Sequence, residues 1–226
     1  IVFRVINGVG AEHPSTLRSL NRIAELYCRL GRLDEAENLC RQALESRRKS
    51  LGSDHPDTLT SVGSLAKIYL EQGRLEAAEE LYLQDLKMRQ QAFGIEHPST
   101  LISTNKLASF IKKQGRFAEA ESLYRGVLEI RLRTLGAVHR KTALSRYNLA
   151  TCLLKMELPS EALSQLQQAL EVELELFGAD SPELAMTHWN IARCLRKLNL
   201  PAKAAEHRTR RLFTRPIEPV QRSTFE

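Results

Sequence analysis

The chain has 226 residues, 42% of them hydrophobic, 27% charged and 6% aromatic, with a formal net charge of +6. That composition supports a packed core, and no stretch approaches the ~18 consecutive apolar residues of a membrane span. Four cysteines, Cys28, Cys40, Cys152 and Cys194, lack the paired spacing of zinc or redox motifs, which points to a reduced, cytoplasmic setting.

In chain order, residues 1–9 come first. Ile1-Val2-Phe3-Arg4-Val5 carries neither an initiator Met nor a signal-peptide layout, and it aligns with the end of a repeat. The expectation is that the chain begins inside a longer protein, with 1–9 the end of a preceding repeat or an N-terminal extension. From there one punctuation returns every 42 residues: Gly10, Gly52, Gly94, Gly136 and Gly178. His13-Pro14, His55-Pro56 and His97-Pro98 follow three residues after their glycines, and the pair decays to His139-Arg140 and Ser181-Pro182. A second marker lies midway at Gly31-Arg32, Gly73-Arg74 and Gly115-Arg116. Fixed self-similarity at this length means stacked two-element units, none able to bury its apolar face alone. The spacing divides 10–213 into five repeats, about 10–51, 52–93, 94–135, 136–177 and 178–213.

Inside the first repeat Leu20, Ile23, Ala24 and Tyr27 form an apolar stripe at helical spacing, and Leu33, Ala36, Cys40, Ala43 and Leu44 form another. Gly31 and Gly52 suit the left-handed stops of these two helices. Pro14 suits the first helical position, where a missing N–H costs nothing. Two helices of ~17 residues, ~25 Å each, are expected per repeat. Ala24, Ala66, Ala108, Ala150 and Ala192 recur in the first helix, and Ala36, Ala78, Ala120, Ala162 and Ala204 in the second. An alanine kept at one phase five times marks where helix backbones approach closely. The markers weaken in the later repeats, where Glu157-Leu158-Pro159 and Asn199-Leu200-Pro201 replace Gly-Arg. The last helix, about Pro201 to Phe213, is polar and arginine-rich, as a capping element should be. Residues 214–226, with Pro216 and Pro219, are expected to form a loose tail.

The order small residue, Tyr27 or Tyr69, Gly31 or Gly73, Ala36 or Ala78, then Tyr82 or Tyr124 resembles the tetratricopeptide repeat. The long form, carried by Gly52-Ser53-Asp54-His55-Pro56-Asp57-Thr58-Leu59 and Gln114-Gly115-Arg116-Phe117-Ala118-Glu119-Ala120-Glu121, is similar to kinesin light chain repeats. HEAT-type repeats have a compatible period of ~40–47, but the alanine columns favour the tetratricopeptide form. The resemblance covers about residues 10–205 and implies an all-α, right-handed superhelical solenoid of helix-turn-helix repeats.

Enzyme chemistry finds no support: there is no phosphate-cradling G-x-x-x-x-G-K motif, and Gly8-Val9-Gly10 lacks the strand context of a dinucleotide loop. Equivalent histidines in successive repeats stand at least one helix layer apart, ~8–10 Å, too far to share a zinc ion ~2 Å from each ligand. His13, His55 and His97 are therefore assigned to loop structure, and His188 and His207 have no companions at ligand spacing. No metal or cofactor is expected. Asp85 stands where Ala43 and Ala169 supply a small core residue, so it must be exposed or paired.

In the resembled family, positions 18, 21, 25, 28 and 29 of the first helix and their equivalents line the concave groove. Here they hold nine basic residues, Arg18, Arg29, Lys67, Lys112, Lys113, Lys155, Arg193, Arg196 and Lys197, against two acids, Glu25 and Glu71. Concentrated positive charge points to an acidic partner, although cations in a helix's last turn also offset its dipole. Asn21 and Asn105 match the first asparagine of the family's N-N-L-A motif, and Asn148 and Asn190 the second. The resemblance implies that these amides hold an extended peptide backbone. Gly63 and Ser64 break that ladder in the second repeat. Tyr147 and Trp189 would grip an aromatic or apolar ligand side chain, or Trp189 merely closes the end of the array. The expected function is thus a scaffold binding an acidic or acidic-aromatic peptide segment of a partner protein. The alternative is a regulatory sensor array that docks against upstream domains. A polyanion site at Arg208, Arg210, Arg211 and Arg215 lacks the interleaved aromatics of an RNA-binding motif, which argues against nucleic acid.

Overall fold

The computed structural model describes residues 12–213, with side chains through residue 207; residues 1–9, the 214–226 tail and the side chains of Arg208, Arg210, Arg211 and Arg215 lie outside that description. Ten α-helices and one short 3-10 turn, with no strand, make up the described residues. They are α1 Pro14–Arg29, α2 Leu33–Leu51, α3 Pro56–Glu71, α4 Leu75–Phe93, α5 Pro98–Lys113, α6 Phe117–Leu135, α7 Arg140–Lys155, α8 Pro159–Phe177, the 3-10 turn Pro182–Leu184, α9 Ala185–Lys197 and α10 Pro201–Phe213. First helices of the first four repeats run 16 residues and their second helices 19. The chain divides into two compact units, Ile1–Lys113 and Gln114–Glu226. In the first, α1 to α5 pack consecutively; in the second, α6 to α10 do the same.

The markers fix where each helix begins and ends. His13, His55 and His139 are N-caps in extended backbone, and their Nδ1 atoms accept the N–H of Ser15, Asp57 and Lys141. His97 accepts that of Ser99 in the same way. One orphan donor of each first turn is thereby satisfied, and Pro14, Pro56 and Pro98 at the next position have no N–H to lose. At the other end, Gly31, Gly73 and Gly115 adopt positive φ. Backbone bonds from Arg32 N to Tyr27 O and from Arg74 N to Tyr69 O, each 2.9 Å, close a Schellman turn. The later repeats keep this turn without glycine: Glu157 (φ 59°) and Asn199 (φ 58°) hold the left-handed position. Leu158 N still bonds Leu153 O, and Leu200 N bonds Leu195 O. The decay of the sequence marker is not a decay of the fold.

Both alanine columns are buried along their whole length, Ala24 through Ala192 and Ala36 through Ala204. Between them Cys40, Tyr82, Tyr124 and Leu166 fill the second-helix column, and Tyr82 tilts against Phe110 with ring centroids 5.4 Å apart. All four cysteines are free and buried. Burial pushes the Cys40 thiol up to about 12 and that of Cys194 to about 11. Leu26 is 52% exposed, whereas its counterparts Ile68, Phe110, Cys152 and Cys194 are buried. Among the described residues, no earlier repeat covers α1.

A buried arginine pins most joints between repeats. Arg47 of α2 donates through Nη1 to Asp57 O (2.9 Å) and Ser61 Oγ (2.7 Å) on α3. Arg131 of α6 repeats the pattern with Lys141 O (2.9 Å) and Ser145 Oγ (2.8 Å) on α7. Arg89 of α4 instead donates to Asp85 (2.8 Å), which also accepts from Ser103 of α5. Asp85 is therefore buried and paired.

Candidate functional site

Each unit carries its own part of the first-helix face expected to bind. In the first unit Arg18, Lys67 and Lys113 are exposed and Lys112 is half-buried. Lys113 lies 3.7 Å from Glu71, so one of the two acids of the face already answers a cation. Arg18 and Lys67 make no ion pair or hydrogen bond with the described residues. Asn21 is buried, and its Nδ2 donates to Ser61 Oγ at 3.0 Å, bracing α1 on α3. Asn105 turns back on its own helix, Nδ2 to Leu101 O at 2.8 Å, while its Oδ1 is buried without a partner.

The break in the asparagine ladder has a structural cause. A Cβ built on Gly63 would stand 3.2 Å from the ammonium of Lys106 and 3.7 Å from Asp85 Oδ2. Gly63 thus leaves room for a lysine that reaches across from α5, and Lys106 occupies the position held by Asn148 and Asn190 in the later repeats. Lys106 is exposed as a residue, yet desolvation lowers its pKa, with Asp85 opposing the shift. Gly63, Asp85 and Lys106 are three departures from the repeat that explain one another.

In the second unit the expected residues come together more closely. Asn190 is 2% exposed; its Nδ2 donates to Tyr147 Oη at 3.0 Å and to Met186 O at 3.2 Å. Arg193 donates to Asn190 Oδ1 at 3.1 Å, and its guanidinium lies 4.8 Å from the Trp189 ring centroid. Tyr147, Trp189, Asn190 and Arg193 therefore form one linked cluster across α7 and α9. Burial raises the Tyr147 pKa, and the Asn190 bond opposes that. Arg193, Arg196 and Lys197 line an open depression of about 320 Å³. Lys197 is ion-paired with Glu157, whereas the exposed Arg196 and Lys155 have no such partner among the described residues. Asn148 is half-buried beside the cluster. The asparagines at positions 21 and 190 serve first as braces between neighbouring helices, a role the motif match did not foresee.

Sequence reasoning passed over exposed apolar residues in each unit. Ile102 in the first unit, and Leu144 and Met186 in the second, occupy the Arg18 column and are 48%, 51% and 50% exposed. The signal was present as three large apolar residues at 42-residue spacing on a face otherwise read for charge. His188 and His207, which have no companions at metal-ligand spacing in the sequence, lie against each other, Nδ1 to Nδ1 at 2.8 Å. They belong to different helices of the last repeat, so no periodic column could pair them. No described helix is long and apolar enough to cross a membrane.

The tetratricopeptide-repeat family model matches residues 15–91, 99–173 and 148–212, and a second model of the same repeat matches 64–133. Among solved structures, the nearly identical TPR-like repeats of a candidate kinesin light chain from Podosopora anserina share 28% identity (88% of this chain, 95% of that chain, TM-score 0.73). BtubC (BKLC) from P. vanneervenii matches all of this chain and 91% of its own at 22% identity, with a TM-score of 0.79. A Rap protein complexed with Competence and Sporulation Factor shares the fold at 13% identity and TM-score 0.69, over 86% of this chain and 52% of that one. No curated protein sequence matches significantly.

Proposed function

The chain belongs to the tetratricopeptide-repeat family, with repeats of the kinesin light chain type, and on that premise we propose that its first-helix face receives an acidic-aromatic peptide segment of a partner protein. The family's fold is a protein–protein interaction scaffold; the peptide chemistry is our inference. It rests on the cluster of the second unit, where Arg193 lies over Trp189, and Arg196 and Lys197 border the same depression. An aromatic side chain would lie against Trp189 and Tyr147, while flanking carboxylates meet the guanidinium and ammonium groups. Arginine is suited to both tasks because its planar head stacks and forks at once. Leu144 and Met186 would add apolar contact beside it. In the first unit Arg18, Lys67, Lys112 and Lys113 would steer the acidic segment more than fix it, since exposed charges act mainly on encounter. The expected location is cytoplasmic, in keeping with four free cysteines.

A peptide-array selection on the whole chain tests this reading. Enrichment of sequences joining an aromatic residue to two or more acids supports it; enrichment of basic or purely apolar sequences contradicts it. A second reading, an array docking against another part of its own protein, is favoured by the uncovered Leu26 on α1 and Leu30 just after it. It expects weak peptide capture, and loss of the docked state on Leu26→Asp.

A further inference from the structure

The arginine column that pins the repeats breaks once. Positions 47, 89 and 131 are arginine; position 173, on α8, is glutamate. Its partner column continues from Ser61, Ser103 and Ser145 to Thr187, and the carbonyls of Asp57 and Lys141 correspond to that of Glu183. The fourth joint therefore keeps the acceptor groups of the others while the buried guanidinium is replaced by another acceptor. Glu173 bonds Thr187, but its Oε2 is buried and has no hydrogen-bond partner. A buried carboxylate oxygen left without a donor is costly.

That side chain lines a cavity of about 370 Å³, within the ~300–1,000 Å³ of ligand pockets. Leu144, Leu176 and Phe177 supply apolar walls, and Glu183 a second carboxylate. Of the two basic residues at its edge, Arg140 lies over Phe177, 5.3 Å from the ring centroid, and Lys141 is exposed. We propose that this cavity receives an arginine side chain of a partner polypeptide, whose guanidinium donates to Glu173 in the place that Arg47 and Arg131 fill from within at the other joints. The apolar walls take the methylene stem, and the Glu173 carboxylate, whose Oε2 is closed to solvent, turns outward to meet the planar head. An anion would have to be seated against the Glu173 carboxylate. This site touches the proposed peptide face only at Leu144; its acceptor Glu173 and its walls Leu176 and Phe177 lie on α8, outside the Trp189 cluster.

The test is a methyl-NMR titration of the full chain with N-acetyl-arginine amide, with N-acetyl-citrulline amide as the neutral isostere. Saturable shifts at the methyls of Leu144 and Leu176, at least tenfold weaker with citrulline, are expected; a charge-assisted hydrogen bond corresponds to ~10–100-fold in affinity. Glu173→Gln, which preserves shape, should weaken the arginine probe by the same factor. Glu173→Arg should abolish its binding and raise Tm, because it restores the guanidinium of the other joints. Equal response to arginine and citrulline, or unchanged affinity in Glu173→Gln, would overturn the proposal. If Arg215→Ala with Arg222→Ala strengthens the probe tenfold or more, the chain's own tail is the occupant and the partner assignment fails.

Discussion

Single residues that depart from their column carry the most specific consequences. Asp85 stands where alanine would satisfy the pattern, so Asp85→Ala looks like a repair. It would instead leave buried Arg89 without its counter-charge and Ser103 without its acceptor. Breaking a buried pair on one side costs ~3–5 kcal/mol, and urea unfolding should show a loss of that order. Glu157 is the opposite case. Its left-handed backbone costs ~1–3 kcal/mol, partly offset in any glycine variant by ~0.5–1 kcal/mol of extra chain entropy and by loss of the exposed Lys197 pair. Glu157→Gly is expected to raise stability by ~0.5–1 kcal/mol, read as a higher Tm. The sequence made Asp85 visible as an anomaly, but its resolution required seeing Arg89, Ser103, Lys106 and Gly63 together. They sit at four different phases on three helices, so no single column contains them.

At the scale of helices and their joints, periodicity was the better guide. Glycine, His-Pro and the alanine columns mark helix ends and close approaches because each reports a local requirement: a positive φ, an N-terminal cap, a close backbone approach; α9, which begins at Ala185 after a 3-10 turn, escapes them. Contacts made across joints were not legible in this way, since they pair residues of different phase. Glu37 on α2 is the clearest example. Burial raises its pKa, but bonds from Gln72, Arg41 and Tyr69 outweigh this and bring it down from 4.5 to about 2. Its folded pKa lies below its unfolded one, so the stabilisation is fully present above pH 4.5 and is lost as pH falls toward about 2. With Arg41 and Arg74 half exposed, screening limits this to ~1–2 kcal/mol. Glu37→Gln should flatten the acid limb of the urea midpoint against pH; an unchanged limb would show that the network adds nothing. His55→Ala, which removes one cap bond, should cost ~0.5–1 kcal/mol.

For the molecule as a whole, the stacked repeat was legible from spacing and the family from the resemblance of its motifs, whereas the site was legible only as composition. Counting basic residues on one face suggested a uniformly positive surface. In the structure Lys113 and Lys197 are paired with acids, Asn21 and Asn190 brace neighbouring helices, and large apolar residues stand exposed on the first-helix face of each unit. What sets the second unit apart is convergence: Tyr147 and Trp189 are linked through Asn190 and Arg193, and Arg193 borders one depression with two further cations, Arg196 and Lys197. The central claim is that this cluster recognises acidic-aromatic peptides. It is tested most directly by fluorescence anisotropy of the best selected peptide against the wild-type chain and the Arg193→Glu/Arg196→Glu variant, across a salt series. Affinity that falls steeply with salt and drops at least ~30-fold in the variant, as loss of two charge-assisted contacts implies, is the expected result. Equal affinity for both proteins, with no dependence on salt, would contradict the account.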